Sequence, residues 1–177
     1  MHVVPLPTLA PTANPDHDLD SVFREWAPYV AAIGLKMLGR KADGDDLVQD
    51  VFLAAHRGLA QIREPLALKG WLATVTVRLA ARHLRRRRLR QWLSFDPSVD
   101  YGSQVARHAP YEERALLAQV YAVLDQLPVQ QRLAWTLRHI QGESLADVSR
   151  LLRCSLATAK RKIAHAQAVI AEAVCHG

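Results

Sequence analysis

Seven arginines (Arg78, Arg82, Arg85, Arg86, Arg87, Arg88 and Arg90) fall within residues 78–92, and no acidic side chain interrupts them. A guanidinium stays charged at any physiological pH and its planar fork matches phosphate oxygens. A run this dense is the electrostatic footprint of a phosphate-rich partner. A solvated basic helix end is the other reading of the same run. Elsewhere the chain is close to neutral: residues 1–77 sum to −2, residues 93–110 to −1 and residues 111–177 to +2, so the overall +6 is concentrated in one short segment.

A second constellation lies near the C-terminal end. Ser144 with Asp147 three residues later is a helix-capping pattern, followed by Leu145, Val148, Leu151 and Leu152 on one face. Only Arg153 and Cys154 separate this short helix from another, opened by Ser155 with Thr158. A capped short helix, a tight turn and a longer helix make the helix-turn-helix plan, whose second helix can enter the major groove of DNA. Spacing turns Leu156, Ala159, Ile163, Ala166 and Ile170 inward. The outward set is then Ala157, Thr158, Lys160, Arg161 and Lys162: small residues that permit close approach, and cations for phosphates or a guanine edge. A helical hairpin with a polar outer face has the same spacing.

Other chemistry finds little support. The eight histidines show no ligand spacing, Cys175 and His176 are a weak pair, and no metal is expected. There is no phosphate-binding glycine loop, no dinucleotide fingerprint and no credible catalytic triad, so neither a cofactor nor an enzyme activity is expected. Cys154 reads as a small buried residue rather than a redox switch. Two cysteines cannot build a disulfide framework and fit a reducing compartment. The longest apolar stretch, residues 26–38, is too short to span a bilayer and contains Lys36. The leading MHVVPLPTLAPTANP has no basic start and four prolines, a poor signal peptide. No membrane insertion and a cytoplasmic location follow as expectations.

These groups must be positioned by helices, since no segment alternates with period two for long. Residues 1–17 read as a mobile tail. A first helix is expected over 20–38, with Val22, Trp26, Val30, Ile33 and Met37 on one face and Pro28 either kinking it or marking its first turn. Residues 39–44 read as a loop. A second helix is expected over 45–62, with Asp45 and Asp46 in its first turn, where the helix dipole favours negative charge. A break around Pro65 precedes a third helix over 70–92 that carries the arginines. Trp71, beside Leu72 and Val75, fits a core role better than a base-stacking one. Residues 93–110 lose periodicity and contain Pro97, Gly102 and Pro110, a linker composition. Four more helices are expected over 111–127 (Leu116, Val120, Val123, Leu124 and Leu127 inward), 129–140, 144–152 and 155–174. The chain is thus expected to be all-α, with two small helical domains, 18–92 and 111–177, joined by a flexible linker.

Three stretches, in order, resemble bacterial RNA polymerase sigma factors of the extracytoplasmic-function (ECF) subfamily. DGDDLVQDVFLAAHRGL (43–59) is similar to the family's polymerase-binding helix. GWLATVTVRLAARHLRRRR (70–88) is similar to its W-L helix ending in basic residues. LDQLPVQQR with GESLADVSRLLRCSLATAKRKI (124–163) is similar to the second conserved region, the helix-turn-helix. The resemblance covers about residues 20–92 and 112–174, called region 2 and region 4 in the family. It implies that Asp46, Gln49 and Asp50 face core RNA polymerase. It implies that Arg78, Arg82, Arg85, Arg86, Arg87, Arg88 and Arg90 meet the upstream edge of melted promoter DNA, about ten bases before the start. It implies that Ala157, Thr158, Lys160, Arg161 and Lys162 meet the double-stranded element about thirty-five bases before it. Two domains on a flexible linker can also be clamped by an anti-sigma factor. The family often has Arg-Asn and a following Asp where this chain has Val77, Arg78 and Arg82; His165 and Gln167 stand at two usual arginine positions, and Arg161 where a small serine is usual. Two rival readings share part of the pattern: a helix-turn-helix regulator acting without polymerase, which leaves residues 43–59 unexplained, and a helical RNA- or protein-interaction module using the arginine run.

Overall fold

The computed structural model describes residues 19–58, 65–94 and 111–175. Their regular structure is helical throughout: α1 (Leu19–Leu38), α2 (Lys41–Gly58), α3 (Pro65–Ser94), α4 (Tyr111–Gln126), α5 (Val129–Trp135) running into a π-helical turn (Thr136–Ile140), α6 (Leu145–Leu151) and α7 (Leu156–Cys175). The expected tail and most of the expected linker lie outside the described residues.

Several boundaries differ from those read in the sequence. Helix α1 runs through Pro28, which lies at an exposed position well past its first turn. Most of the loop expected over 39–44 is helical, since α2 already starts at Lys41. Pro65 opens α3 rather than breaking the chain. A proline's missing N–H goes unused in a first turn and its fixed φ suits a helix start, so the residue that signals a break in sequence can equally signal a beginning. Helix α3 extends to Ser94, so the first two residues of the expected linker are helical.

Helices α1, α2 and α3 pack around Val30, Ile33, Leu38, Leu47, Val51, Leu72, Val75, Ala80 and Leu84, all buried. Trp71 packs half-buried against this core, as its spacing predicts, close over Gly58, where a Cβ would stand 2.6 Å from the indole. A second apolar cluster joins α4, α5 and α7 through Tyr121, Leu124, Leu127, Trp135, Ala166 and Ile170. The core of the helix-turn-helix (Leu133, Leu137, Val148, Leu151 and Ala159) is continuous instead with that of α1–α3. Apolar packing therefore crosses between the two halves of the chain.

A polar junction reinforces that crossing at the C-terminal end of α1. The last carbonyls of a helix lack intrahelical donors and carry the negative end of its dipole. Here the second half supplies donors. Tyr121 Oη donates to Lys36 O at 2.5 Å, and Arg132 donates to Met37 O (3.2 and 3.0 Å) and Leu38 O (3.0 Å). Arg87 of α3 adds a bond to Leu38 O at 3.1 Å, pairs with Asp43 at 2.9 Å and meets Asp125, which also pairs with Arg132. Arg132 is 1% exposed. Burial pulls its pKa down to about 10 while Asp125 pulls it up, so it stays charged at neutral pH. Gly39 ends α1 at φ 75°, and a Cβ there would lie 2.7 Å from the Tyr121 ring. Both the left-handed backbone and the close ring demand glycine.

Candidate nucleic-acid and polymerase interface

The inner stripe of α3 runs through Leu72, Thr76, Ala80, Leu84 and Arg87, at intervals of three or four residues. Arg78, Arg82, Arg85, Arg86, Arg88 and Arg90 lie off that stripe and are exposed. Arg87 lies on it and is 7% exposed, committed to Asp43, Asp125 and Leu38 O. Its expected place on the DNA face is therefore corrected. The run puts arginine at four successive positions, and one of four must face the core. Continuing the apolar stripe three residues past Leu84 identifies it.

The polymerase-facing set divides in the same way. On α2, Asp46 and Gln49 are exposed, and Leu53, four residues after Gln49, is 63% exposed on the same helix. Asp50 is instead half-buried, and His83 Nε2 of α3 donates to its Oδ2 at 2.8 Å. It thus ties α2 to α3 while its side chain remains 38% exposed. Sequence reading missed Leu53 because an exposed leucine carries no periodicity signal of its own.

In the helix-turn-helix, the Ser144 hydroxyl accepts from Asp147 N at 3.1 Å, as its sequence pattern predicts. It also donates to Asp147 Oδ2 at 2.6 Å, while Arg150 reaches Asp147 Oδ1 at 3.0 Å. Those two bonds hold the Asp147 carboxyl below its ordinary pKa, the hydroxyl more than the guanidinium. The turn that follows is a Schellman motif: Cys154 N donates to Ser149 O and Arg153 N to Arg150 O, with Arg153 at φ 51°. Cys154 is half-buried against the core. Ser155 Oγ then caps α7 by accepting from Thr158 N at 3.2 Å.

On α7, Ala159, Ala166 and Ile170 are buried and Ile163 packs half-buried. Leu156 does not turn inward; it is 53% exposed, because the first residue of the helix precedes the stripe that contacts the core. Leu116 of α4 is likewise exposed, at 48%. Ala157, Lys160 and Arg161 are exposed as expected. Thr158 is half-buried and its hydroxyl meets Ser155 Oγ at 2.9 Å. Lys162 donates to Gln130 Oε1 of α5 at 3.2 Å, which tethers it to its own domain.

The two cationic surfaces meet. Arg78 and Arg85 of α3 line one wall of a cleft of about 130 Å³, and Arg153, Leu152 and Gln130 line the other. Among the described residues no carboxylate lines it. One chain thus carries a row of exposed arginines, a capped helix with exposed cations at its N-terminal end, and an acidic helix face with an exposed leucine. That combination has the character of a protein that handles nucleic acid.

Comparison with known proteins agrees. Residues 22–90 match the Sigma-70 region 2 family and residues 117–167 match Sigma-70, region 4. The ECF RNA polymerase sigma factor SigM of Mycobacterium tuberculosis is 30% identical over 165 residues, which span 92% of this chain and 80% of that protein. RNA polymerase sigma-H factor of Pseudomonas aeruginosa is 28% identical over 141 residues, 75% of this chain and 73% of that one. In fold, the chain is similar to sigma factor RpoE, solved with the anti-sigma factor NepR from Bartonella quintana (TM-score 0.64, 20% identity, 88% of this chain and 95% of that one). It is also similar to CnrH, solved with the cytosolic domain of CnrY (TM-score 0.57, 19% identity, 89% and 88%). The chain belongs to the sigma-70 family of RNA polymerase sigma factors, in its ECF subfamily. It is an alternative sigma factor, and its partners are core RNA polymerase and promoter DNA. Among the described residues no helix is long and apolar enough to cross a membrane.

Proposed function

We propose a division of labour along the chain, with residues 18–92 as the region 2 domain, 93–110 as the linker and 111–177 as the region 4 domain. Asp46 and Gln49, with Leu53 beside them, anchor the protein to a basic, partly apolar surface of core polymerase. Exposed Arg78, Arg82, Arg85, Arg86, Arg88 and Arg90 track the backbone at the upstream edge of the melted promoter. Ala157, Lys160 and Arg161 face the element about thirty-five bases upstream, Arg161 as the base-reading donor and Lys160 as a phosphate contact. Lys162 supports them from its bond to Gln130. The chain works by recruitment in the cytoplasm, where the polymerase is, and contributes no catalytic step of its own. The relatives solved with NepR and CnrY support an anti-sigma factor as a further partner.

The observation that carries this reading is that exposed cations stand on two separate helices of one chain, one beside an acidic docking face and the other at the start of a capped recognition helix. Run-off transcription tests it. The purified chain added to core polymerase and a promoter library is expected to give new, sequence-specific initiation. Specific DNA binding without initiation would return the protein to the class of ordinary helix-turn-helix regulators.

A further inference from the structure

A groove lined by cations runs between α3 and the second half of the chain. Thr74, Arg78, Ala81, Arg85 and Leu89 recur every three or four residues, so one face of α3 forms its wall for about 22 Å. Its narrow end is the cleft of about 130 Å³ where Arg78 and Arg85 face Arg153. Arg85 and Gln130 also line a wider, open depression of about 600 Å³ with Arg88, Leu89, Pro128 and Val129, so the two are continuous. Leu151, in the wall of the cleft, belongs to the buried apolar core that α1–α3 share with the helix-turn-helix. That core fixes the distance between the walls, and the groove exists without a ligand to hold it open.

Among the described residues, the side chains of Arg78, Arg85 and Arg153 make no hydrogen bond or ion pair, and no carboxylate lines either part of the groove. Three like charges around one small cavity repel one another, and an anion between them removes that repulsion. A carboxylate brings a single charge. A phosphate brings up to about two, with three acceptor oxygens for the guanidinium forks. The cleft is smaller than a typical ligand pocket, while the depression beside it falls in the ordinary range of about 300–1,000 Å³. Wall chemistry changes along the same line. Toward the wide end Leu89, 59% exposed, joins Pro128 and Val129 in an apolar floor. Arg88, steadied by its bond to Leu127 O at 3.3 Å, offers a planar guanidinium on which an aromatic base can stack. Gln130 stands between the two ends; its Oε1 accepts from Lys162, which leaves its amide N–H groups to donate.

We propose that this groove is a binding site for a small nucleoside polyphosphate, its phosphates in the cleft among Arg78, Arg85 and Arg153 and its base on Leu89, Pro128 and Arg88. Free nucleotide and melted promoter strand offer the same phosphate chemistry, and Arg78 and Arg85 serve both. Arg153 is what singles out the nucleotide. It comes from the turn of the helix-turn-helix rather than from the arginine run, and the cleft it closes has room for phosphate groups but not for a duplex. The site goes beyond the functional reading above, since it needs neither polymerase nor promoter to fill.

Isothermal titration calorimetry of the full free chain with ATP, without polymerase or DNA, tests it. Saturable one-to-one binding is expected, weakening as salt is raised. Tripolyphosphate is expected to bind several-fold more weakly, and adenosine not at all. Arg78→Gln with Arg153→Gln is expected to weaken ATP binding at least about tenfold, since each removes a charge-assisted bond. Arg82→Gln with Arg86→Gln removes as much charge from α3 outside the groove and is expected to change it by less than about threefold. Should Gln at 153 disturb its turn and lower helicity by circular dichroism, Arg78→Gln with Arg85→Gln takes the place of the first pair. Absence of saturable ATP binding overturns the site. So does an equal loss in both pairs of variants, the mark of unspecific attraction to the arginine run. Tripolyphosphate binding as tightly as ATP overturns the seat for the base. A short single-stranded DNA that binds where ATP does not gives the cations to the promoter strand alone and overturns the proposal too. None of these outcomes turns on run-off transcription, so a failure there counts against the functional reading alone.

Discussion

His83 Nε2 and Asp50 Oδ2 lie 2.8 Å apart, joining α3 to α2 across 33 positions of sequence. Asp50 therefore belongs to the packing of the region 2 bundle, while Asp46 and Gln49 on the same helix face outward. Asp50→Ala is expected to lower stability by about 1 kcal/mol, the scale of a partly exposed charged hydrogen bond. Asp46→Lys with Gln49→Ala is expected to leave the melting temperature in place and weaken binding to core polymerase. Thermal unfolding and a core-enzyme pull-down on both variants check the division. Equally weakened polymerase binding in Asp50→Ala, with stability intact, would return Asp50 to the docking face.

The arginine run makes a second division. Replacing Arg85, Arg86 and Arg88 with Gln is expected to flatten the salt dependence of promoter binding by the assembled holoenzyme, by about 0.7–0.9 in slope for each phosphate no longer neutralised. Arg87→Gln is expected to leave the slope nearly unchanged, since its guanidinium is turned into the α1–α3 bundle, where Asp43 and Leu38 O hold it. Fluorescence anisotropy across a salt series reads both. A slope flattened as much by Arg87→Gln as by Arg86→Gln would place that side chain on the DNA.

Arg161 and Lys160 are both exposed near the start of α7 and are expected to differ in kind. Arg161→Ala should relax preference at one or two base pairs of the element about thirty-five bases upstream, since a two-point contact to guanine is worth about 1–3 kcal/mol of discrimination. Lys160→Ala should weaken all sequences alike. Selection from a promoter library gives the answer. An unchanged preferred element for Arg161→Ala would leave specificity to DNA shape.

The cap of α6 carries a pH signature. The Asp147 carboxyl lies below its ordinary value of 3.8, chiefly through the Ser144 hydroxyl and then through Arg150. A carboxylate whose pKa is lowered on folding stabilises above its unfolded value, and that contribution fades as pH falls through the folded one. The wild type should therefore lose stability on acidification below about pH 4 more steeply than Asp147→Asn. Ser144→Ala should cost about 1 kcal/mol at neutral pH through loss of the cap. Denaturant titrations at pH 3, 4 and 7 follow both; parallel pH profiles would mean the Asp147 bonds contribute nothing to folding.

Much of this arrangement was legible in the residues. The seven segments of periodic apolar positions, the Ser144 cap and the two-residue turn all have local causes, and local causes can be read from neighbouring letters. Arg87 was half legible, because its stripe is visible once Leu72, Ala80 and Leu84 are set in register, although four consecutive arginines conceal which one turns in. The bonds from Arg132 to Met37 O and Leu38 O were not legible, since they join positions some 95 residues apart and involve backbone oxygens that no side-chain pattern announces. Pro28 and Pro65 show the remaining limit. The same residue kinks, breaks or opens a helix according to which N–H the helix would have used, and only the surrounding fold settles that.

Arg153 occupies the left-handed position of its turn, a conformation that disfavours a residue with a Cβ by about 1–2 kcal/mol and that glycine would adopt freely. Arg153→Gly should thus give a protein that melts later while losing one of the three arginines around the cleft. A screen for thermal robustness would favour that variant, and a screen for promoter activity would reject it if the charge matters there. At this one backbone angle, durability and electrostatic reach pull the sequence in opposite directions.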